Sequence, residues 1–363
     1  MQIYHLSHID LDGYGCQMVS REIYTNAFAH DPSLSLHFYN ANYGKEVNAR
    51  LEQIYREIKR TKTKNPKNNA THILITDLNL TLEECDSLVQ AVLELNLNGF
   101  QVTFELLDHH KSGQECAQKY TWYYLDTKRC ATQIIYDTLL ARYGLCDSVQ
   151  KWLTPMVRMI NSIDLWLEGG YAFEFGKVAM RLIVECKELN RFMFDGEDRH
   201  YKLALLKESA KFLPQEKGAI LLDNAVLEMK KCFLKGNLLS DTLDNLVSNF
   251  QCNLLTQKAE QCSIYYGKYR GFLSYSIGNI SVLANLFLKN NPQFDFFIDV
   301  SARGNVSLRA NNQCDVSLLA QNCFNGGGHA NASGGKIEGF KESFIYEDIK
   351  ECVQNILRGE EYE

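Results

Sequence analysis

Short apolar runs that end in polar clusters alternate with helix-like segments through about the first 165 residues, the pattern of a parallel sheet covered by helices. The runs predict strands at 2–6, 36–39, 72–76, 101–107 and 122–125, with helices at 15–29, 47–59, 81–95, 131–143 and 148–163. From 173 to about 250 charged and apolar residues interleave at helical spacing, as in ALLKESAKFL and NAVLEMKKCFL, which predicts a helical connector. Near Cys262 β-like runs return (CSIYYGKY, GFLSYSI, FDFFIDVS, NVSLRA) around a helix predicted at 281–289. The expectation is an α/β chain in three parts: a parallel-sheet domain over 1–172, the connector over 173–258, and a smaller C-terminal α/β domain over 259–363.

Length and composition agree with that division. A chain of 363 residues exceeds one ordinary domain, and 45% hydrophobic with 23% charged residues leaves no room for a disordered or fibrous reading. The net charge of −6 argues against a partner made of long duplex nucleic acid, which calls for a broad basic surface. A small anion in a local pocket fits better. The basic stretch at 59–67 (Lys59, Arg60, Lys62, Lys64, Lys67 around Pro66) reads as a solvated connecting loop, with an electrostatic patch that gathers anions as the alternative. Twelve cysteines carry no CxxC spacing, so they read as reduced thiols. The opening MQIYHLSHID lacks a basic segment followed by an apolar one, and no run reaches the ~18 apolar residues of a membrane span. The expected compartment is the cytoplasm, with no membrane partner.

Chemistry gathers where the predicted strands end. His8, Asp10 and Asp12 follow the first strand in H-x-D-x-D-G, where alternate residues of an extended backbone point to one side, and Gly13 would turn the chain into the next helix. The competing reading is a turn of helix-capping aspartates. Asp77 ends the apolar run ILIT, where ligands of open α/β sheets gather; a cap for the helix at 81 is its alternative. Asp108-His109-His110 ends the run TFELL, and buried polar groups of this kind need partners. Asp164 closes the predicted helix 148–163, with Asp126 and Asp137 competing for its place. Four carboxylates (Asp10, Asp12, Asp77, Asp164) and two imidazoles (His8, His109) without a thiolate favour Mn²⁺. Four negative charges balance two divalent ions, the arrangement that ionises a trapped water between them. Near the far end, Arg309 lies on a predicted strand and Gly326-Gly327-Gly328-His329 opens another segment. Glycine amides, an arginine and a histidine together suit a phosphate, with a flexible hinge as the alternative.

This set of motifs resembles the DHH phosphoesterase superfamily at both ends of the chain: H-x-D-x-D-G, the strand-end aspartate, the literal DHH and the later aspartate in order, then GGGHANASGG as in the DHH-associated C-terminal domain. The resemblance implies two metal ions, one held by His8, Asp10 and Asp77, the other by Asp12, Asp77, His109 and Asp164, with Asp77 bridging. It implies that His110 touches the scissile phosphate or leaving oxygen, that Asp108 orients a histidine, and that Arg309, His329 and the Gly327 and Gly328 amides grip a terminal phosphate or nucleotide. Two features depart from the pattern. The H-x-D-x-D spacing is tighter than in many nanoRNases and manganese pyrophosphatases and closer to RecJ, and Asp164 precedes Leu-Trp where nanoRNases often have Thr-Gly. Trp166 is thus either core packing or a base-stacking surface.

The activity so implied is Mn²⁺-dependent hydrolysis of short oligoribonucleotides or of linear or cyclic dinucleotides to mononucleotides, with 3′-phosphoadenosine 5′-phosphate as a further substrate. A RecJ-like single-strand DNA exonuclease is the rival enzyme, and a nucleotide sensor without catalysis the rival from another class. Family behaviour implies a homodimer.

Overall fold

Five parallel strands carry the N-terminal half in the computed structural model, which describes residues 1–64, 70–278 and 280–359. They are β1 (Gln2–Ser7), β2 (Ser35–Asn40), β3 (Ala70–Thr76), β4 (Gln101–Asp108) and β5 (Tyr123–Leu125), in the order β2-β1-β3-β4-β5. Parallel neighbours need crossovers, here supplied by α1 (Leu11–Ala27), α2 (Lys45–Lys64), α3 (Leu82–Leu97) and the short α4 (Gln114–Lys119). The hairpins of α5 (Ala131–Tyr143), α6 (Asp147–Asp164) and α7 (Phe173–Glu185) follow.

Helices on both faces explain why Ile73, Leu74 and Ile75 are all fully buried. Tyr4, Leu6, Ile73 and Ile75 share one core with Val47, Leu51 and Ile54 of α2 and Leu88 and Val92 of α3. On the other face His5 is fully buried, with Nδ1 2.7 Å from Ser20 Oγ and Nε2 2.8 Å from Thr76 Oγ1. Both ring nitrogens are satisfied, so His5 is a packing residue.

Two compact units divide the chain: Met1–Cys186 with Lys202–Val226, and Lys187–Tyr201 with Leu227–Glu363. The helical stretch between the sheets is α7, α8 (Asp195–Ser209), α9 (Gly218–Phe233) and α10 (Leu243–Gln257); α7 belongs to the first unit, α10 to the second, and α8 and α9 contribute to both. The second unit has a six-stranded sheet of β6 (Ser263–Tyr266), β7 (Tyr269–Tyr275), β8 (Phe296–Val300), β9 (Asn305–Ala310), β10 (Gly327–His329) and β11 (Ala332–Lys336), ordered β10-β11-β9-β8-β7-β6. Among the described residues of this sheet only β7 and β8 pair in parallel, across α11 (Ser281–Asn290); α12 (Val316–Phe324) and α13 (Tyr346–Arg358) also belong to the unit. Its core is aromatic: Phe272 meets Phe287 at 4.4 Å and Phe297 at 5.2 Å between ring centroids.

The α/β class and the smaller C-terminal unit agree with the sequence pattern. The basic stretch departs from it, because α2 extends to Lys64 and Lys59 pairs with Glu94 at 3.6 Å; its remainder at 65–67 lies outside the described residues. All twelve cysteines are free thiols. No helix among the described residues is long and apolar enough to cross a membrane.

Candidate metal centre

β1 lies between β2 and β3, so the chain leaves its carboxyl end toward one edge of the sheet and the end of β3 toward the other. Such a switch point opens a crevice, and it is where Asp10, Asp12 and Asp77 stand. The backbone after β1 corrects the expected extended run through 8–12. Helix α1 starts at Leu11 with Asp10 as its N-cap, whose Oδ1 accepts from Gly13 N at 3.0 Å. The capping alternative is thus realised at Asp10, which also stays in the acidic cluster.

Asp12 falls in the first turn of α1 and is 1% exposed. Its two carboxylate oxygens accept from the backbone N–H groups of Ala131 and Thr132, each at 2.8 Å, and the Thr132 hydroxyl donates to its carbonyl at 2.8 Å. Those amides open α5 and have no partner within that helix, so the carboxylate is gripped by unsatisfied donors at the positive end of a helix dipole. Gly13 does not serve as a turn. A Cβ there would lie 2.2 Å from the carbonyl oxygen of His8, so glycine is what lets α1 start this close to β1.

Asp77 is 1% exposed and takes a left-handed backbone, φ +58°, a conformation that costs an aspartate about 1–2 kcal/mol. Its N–H donates to Leu107 O at 3.2 Å, which ties it to β4. The capping alternative fails here, because Thr81 caps α3 itself in a box with Glu84. At the end of β4, Asp108 is fully buried; its Oδ1 lies 2.7 Å from His110 Nδ1 and its Oδ2 accepts from the Tyr123 hydroxyl at 2.8 Å. The histidine it orients is therefore His110. His109 Nε2 points instead into three carboxylates, 3.3 Å from Asp77, 3.6 Å from Asp164 and 3.7 Å from Asp12. Asp164, last residue of α6, joins the cluster, whereas Asp126 and Asp137 are both taken up by Arg129.

His8 completes the group from the other side of Asp77. Its Nδ1 is 3.0 Å from Asp10 Oδ2 and 3.8 Å from Asp77 Oδ2, while Nε2 faces Asn42 Oδ1 at 3.4 Å. A donor bond from Nε2 leaves the Nδ1 lone pair toward the carboxylates, the orientation of a metal ligand.

Three side-chain atoms of this cluster, His8 Nδ1, Asp77 Oδ2 and Asp164 Oδ2, are buried without a hydrogen-bond partner. Burial, and then Asp12, Asp10 and Asp164, push Asp77 well above the ordinary carboxylate range. Burial, with Asp12 and Asp10, pushes Asp164 up to about 9. Burial opposes the charge of Asp10 too, but His8, the Gly13 amide and Asp77 outweigh it and hold Asp10 at about 2. His109 is lowered by burial despite the Asp12 charge, while for His110 the bond and charge of Asp108 outweigh burial and raise it. Crowded carboxylates with unpartnered oxygens and an inward-facing imidazole are what divalent cations neutralise. The residues fit two ions: His8, Asp10 and Asp77 form one group with ligand atoms within 4.8 Å of one another, and Asp77 forms another with His109 and His110. A third joins Asp12 and Asp164 to Cys130. The candidate donors among the described residues thus include one thiol, Cys130, beside the oxygen and nitrogen donors of the motifs. Nothing in RCATQ marks Cys130; only the docking of α5 on Asp12 brings it here.

In the second unit the strand registers place Phe297, Arg309, Ala332 and His329 at one level of the sheet. Arg309 donates to Ser281 Oγ at 3.0 Å, at the start of α11, and His329 is exposed. The glycine run is a hairpin strand, which rules out a hinge. A Cβ at Gly326 would lie 2.0 Å from Gly334 O, and Gly328 (φ +146°) would place one 2.7 Å from Ala332 O. Only Gly327 faces open space. Trp166 is not core: it is 56% exposed, edge-on to Phe173.

No family model matches the chain. It is 51% identical over 360 residues to the 3′,5′-cyclic-nucleotide phosphodiesterase of Helicobacter pylori (strain ATCC 700392 / 26695), covering 99% of each chain. It is 25% identical over 341 residues to Oligoribonuclease NrnB of Bacillus subtilis (strain 168), covering 92% of this chain and 72% of that protein. Among solved structures, an uncharacterized protein from Helicobacter pylori G27 superposes with a TM-score of 0.88 at 51% identity, over 99% of both chains.

Proposed function

The chain belongs to the DHH-type phosphoesterases and is a hydrolase of nucleotide phosphodiester bonds; from that premise we propose that its substrates are small, a 3′,5′-cyclic nucleotide first, and that it works with two divalent ions, Mn²⁺ above others. The observation that carries the two-ion reading is His109 Nε2 within 3.3–3.7 Å of three carboxylates, beside buried Asp77 and Asp164 oxygens that have no hydrogen-bond partner. The substrate reading rests on the 51% identity across the whole length of a cyclic-nucleotide phosphodiesterase. Short oligoribonucleotides are the second reading, favoured by the weaker likeness to an oligoribonuclease.

In this proposal His8, Asp10 and Asp77 hold one ion, and Asp12, Asp77, His109 and Asp164 the other. Bound there, the ions supply Lewis acidity and lower the pKa of a bound water. Asp77 is suited to be shared, because its Oδ1 faces His109 and its Oδ2 faces His8. Asp12 is kept in place by the α5 amides. His110 has Nδ1 committed to Asp108, which leaves it to contact the phosphate and pass a proton to the leaving oxygen as the P–O ester bond breaks. Arg309, His329 and the Gly327 and Gly328 amides would bind the terminal phosphate or nucleotide. Oxygen and nitrogen donors favour Mn²⁺; Cys130 is a soft neighbour that makes Zn²⁺ the ion to compare.

A substrate panel tests the proposal: 3′,5′-cyclic AMP, cyclic and linear dinucleotides, 3′-phosphoadenosine 5′-phosphate, RNA of two to five nucleotides, and a longer single-stranded DNA, each with Mn²⁺, Mg²⁺, Zn²⁺ or EDTA. The expected result is ion-dependent release of mononucleotide from the cyclic nucleotide or the short species. Preference for the long DNA would favour an exonuclease, and binding without turnover a sensor.

A further inference from the structure

Tyr43 lies in the turn between β2 and α2, 41% exposed, a setting in which a tyrosine is ordinarily free to turn. Here both ends of the side chain are engaged. Its ring packs on the His8 ring at 4.5 Å between centroids, and its hydroxyl lies 3.0 Å from His110 Nε2. His8 and His110 stand on different sides of Asp77: His8 faces Oδ2, while His110 packs, tilted, on His109 at 4.3 Å between ring centroids, and His109 faces Oδ1.

The turn itself is pinned. Glu46, 1% exposed, accepts from Asn42 N at 2.9 Å, and Asn42 Oδ1 accepts from Tyr43 N at 2.9 Å while facing His8 Nε2 at 3.4 Å. Arg50 donates to Asn40 O at 3.2 Å behind it. On the far side, Tyr123 and Asp108 fix His110 through Nδ1, which leaves Nε2 to pair with the Tyr43 hydroxyl, a group able to donate to a bare ring nitrogen or accept from a protonated one. A chain of bonds thus runs from Tyr123 through Asp108 and His110 to Tyr43, and ends in a ring contact on His8.

We infer that Tyr43 is a positioning residue that fixes both histidines at once: its hydroxyl sets the angle of His110, and its ring braces His8 against Asp10 and Asp77. The inference rests on the proposed role of the site. Its two halves separate by substitution. Tyr43→Phe keeps the ring and removes the hydroxyl; Tyr43→Ala removes both.

The test compares wild type, Tyr43→Phe, Tyr43→Ala, His110→Asn and the Tyr43→Phe/His110→Asn double variant by kcat and KM on the best substrate of the panel, and by calorimetric Mn²⁺ titration without substrate. Loss of one positioning hydrogen bond should lower kcat of Tyr43→Phe about tenfold with KM nearly unchanged, and its Mn²⁺ titration should match wild type. Tyr43→Ala should in addition bind Mn²⁺ about tenfold more weakly, as loss of a ligand-orienting contact does. In the His110→Asn background, Tyr43→Phe should have no further effect on kcat. Wild-type kcat in Tyr43→Phe, an equal fall in the His110→Asn background, or unchanged Mn²⁺ affinity in folded Tyr43→Ala would each overturn the inference while the phosphodiesterase reading stands. Wild-type protein that neither binds Mn²⁺ nor hydrolyses any substrate of the panel would overturn both.

Discussion

Asp77 holds a left-handed backbone, full burial and three carboxylate neighbours at once, costs that would be removed by selection for stability alone. Asp77→Asn should therefore raise the thermal midpoint of the EDTA-treated protein while lowering hydrolysis by at least about a thousandfold. A scan and an activity assay on one preparation check both signs. The same crowding sets a pH dependence. Asp164, pushed up to about 9, keeps a proton in the metal-free fold that the unfolded chain, with carboxylates near 3.9, has released. Between those values the native state binds more protons, so the stability of the metal-free protein should fall as pH rises from about 4 to about 9. Mn²⁺ held there as proposed would replace the proton, so its gain in thermal midpoint should be larger at about pH 8.5 than at about pH 5.5. Equal gains would contradict this assignment. At this scale the sequence displays carboxylates and imidazoles at strand ends well, because their types are distinctive. It hides Tyr43 and Cys130, whose places depend on a turn and a helix packed from elsewhere.

Elements decide how those residues converge. The strand ends were legible, since apolar runs buried on both faces break where the chain turns polar. The start of α1 was not: a glycine at 13 reads as a turn, and only the contact with the His8 carbonyl reveals a helix begun at Leu11. Gly13→Ala should consequently cost more than the ~1 kcal/mol that alanine normally gains over glycine in a helix, with the sign reversed, and urea unfolding will show it. The grip of α5 on Asp12 was equally invisible, because backbone amides leave no mark in a sequence. Thr132→Val removes the buried bond to the Asp12 carbonyl and should lower stability by about 1–3 kcal/mol. A neutral result would mean that the amides alone hold the junction.

Across the whole molecule, the proposed roles divide between the two compact units, chemistry in one and recognition in the other. The acidic cluster belongs to the first, and Arg309 with His329 to the second. Arg309→Ala should then raise KM about tenfold or more with little change in kcat, and leave the Mn²⁺ titration untouched. A net charge of −6 further predicts that hydrolysis of a small nucleotide changes little with added salt, unlike a reaction on long nucleic acid. The central claim, an ion-dependent nucleotide phosphodiesterase built around Asp77, is tested most directly by hydrolysis of 3′,5′-cyclic AMP by EDTA-treated protein before and after Mn²⁺ is restored, in wild type and Asp77→Asn. The expected result is no turnover without the ion, recovery on its addition in wild type, and none in Asp77→Asn. Turnover in EDTA, or an undiminished rate in Asp77→Asn, would contradict it.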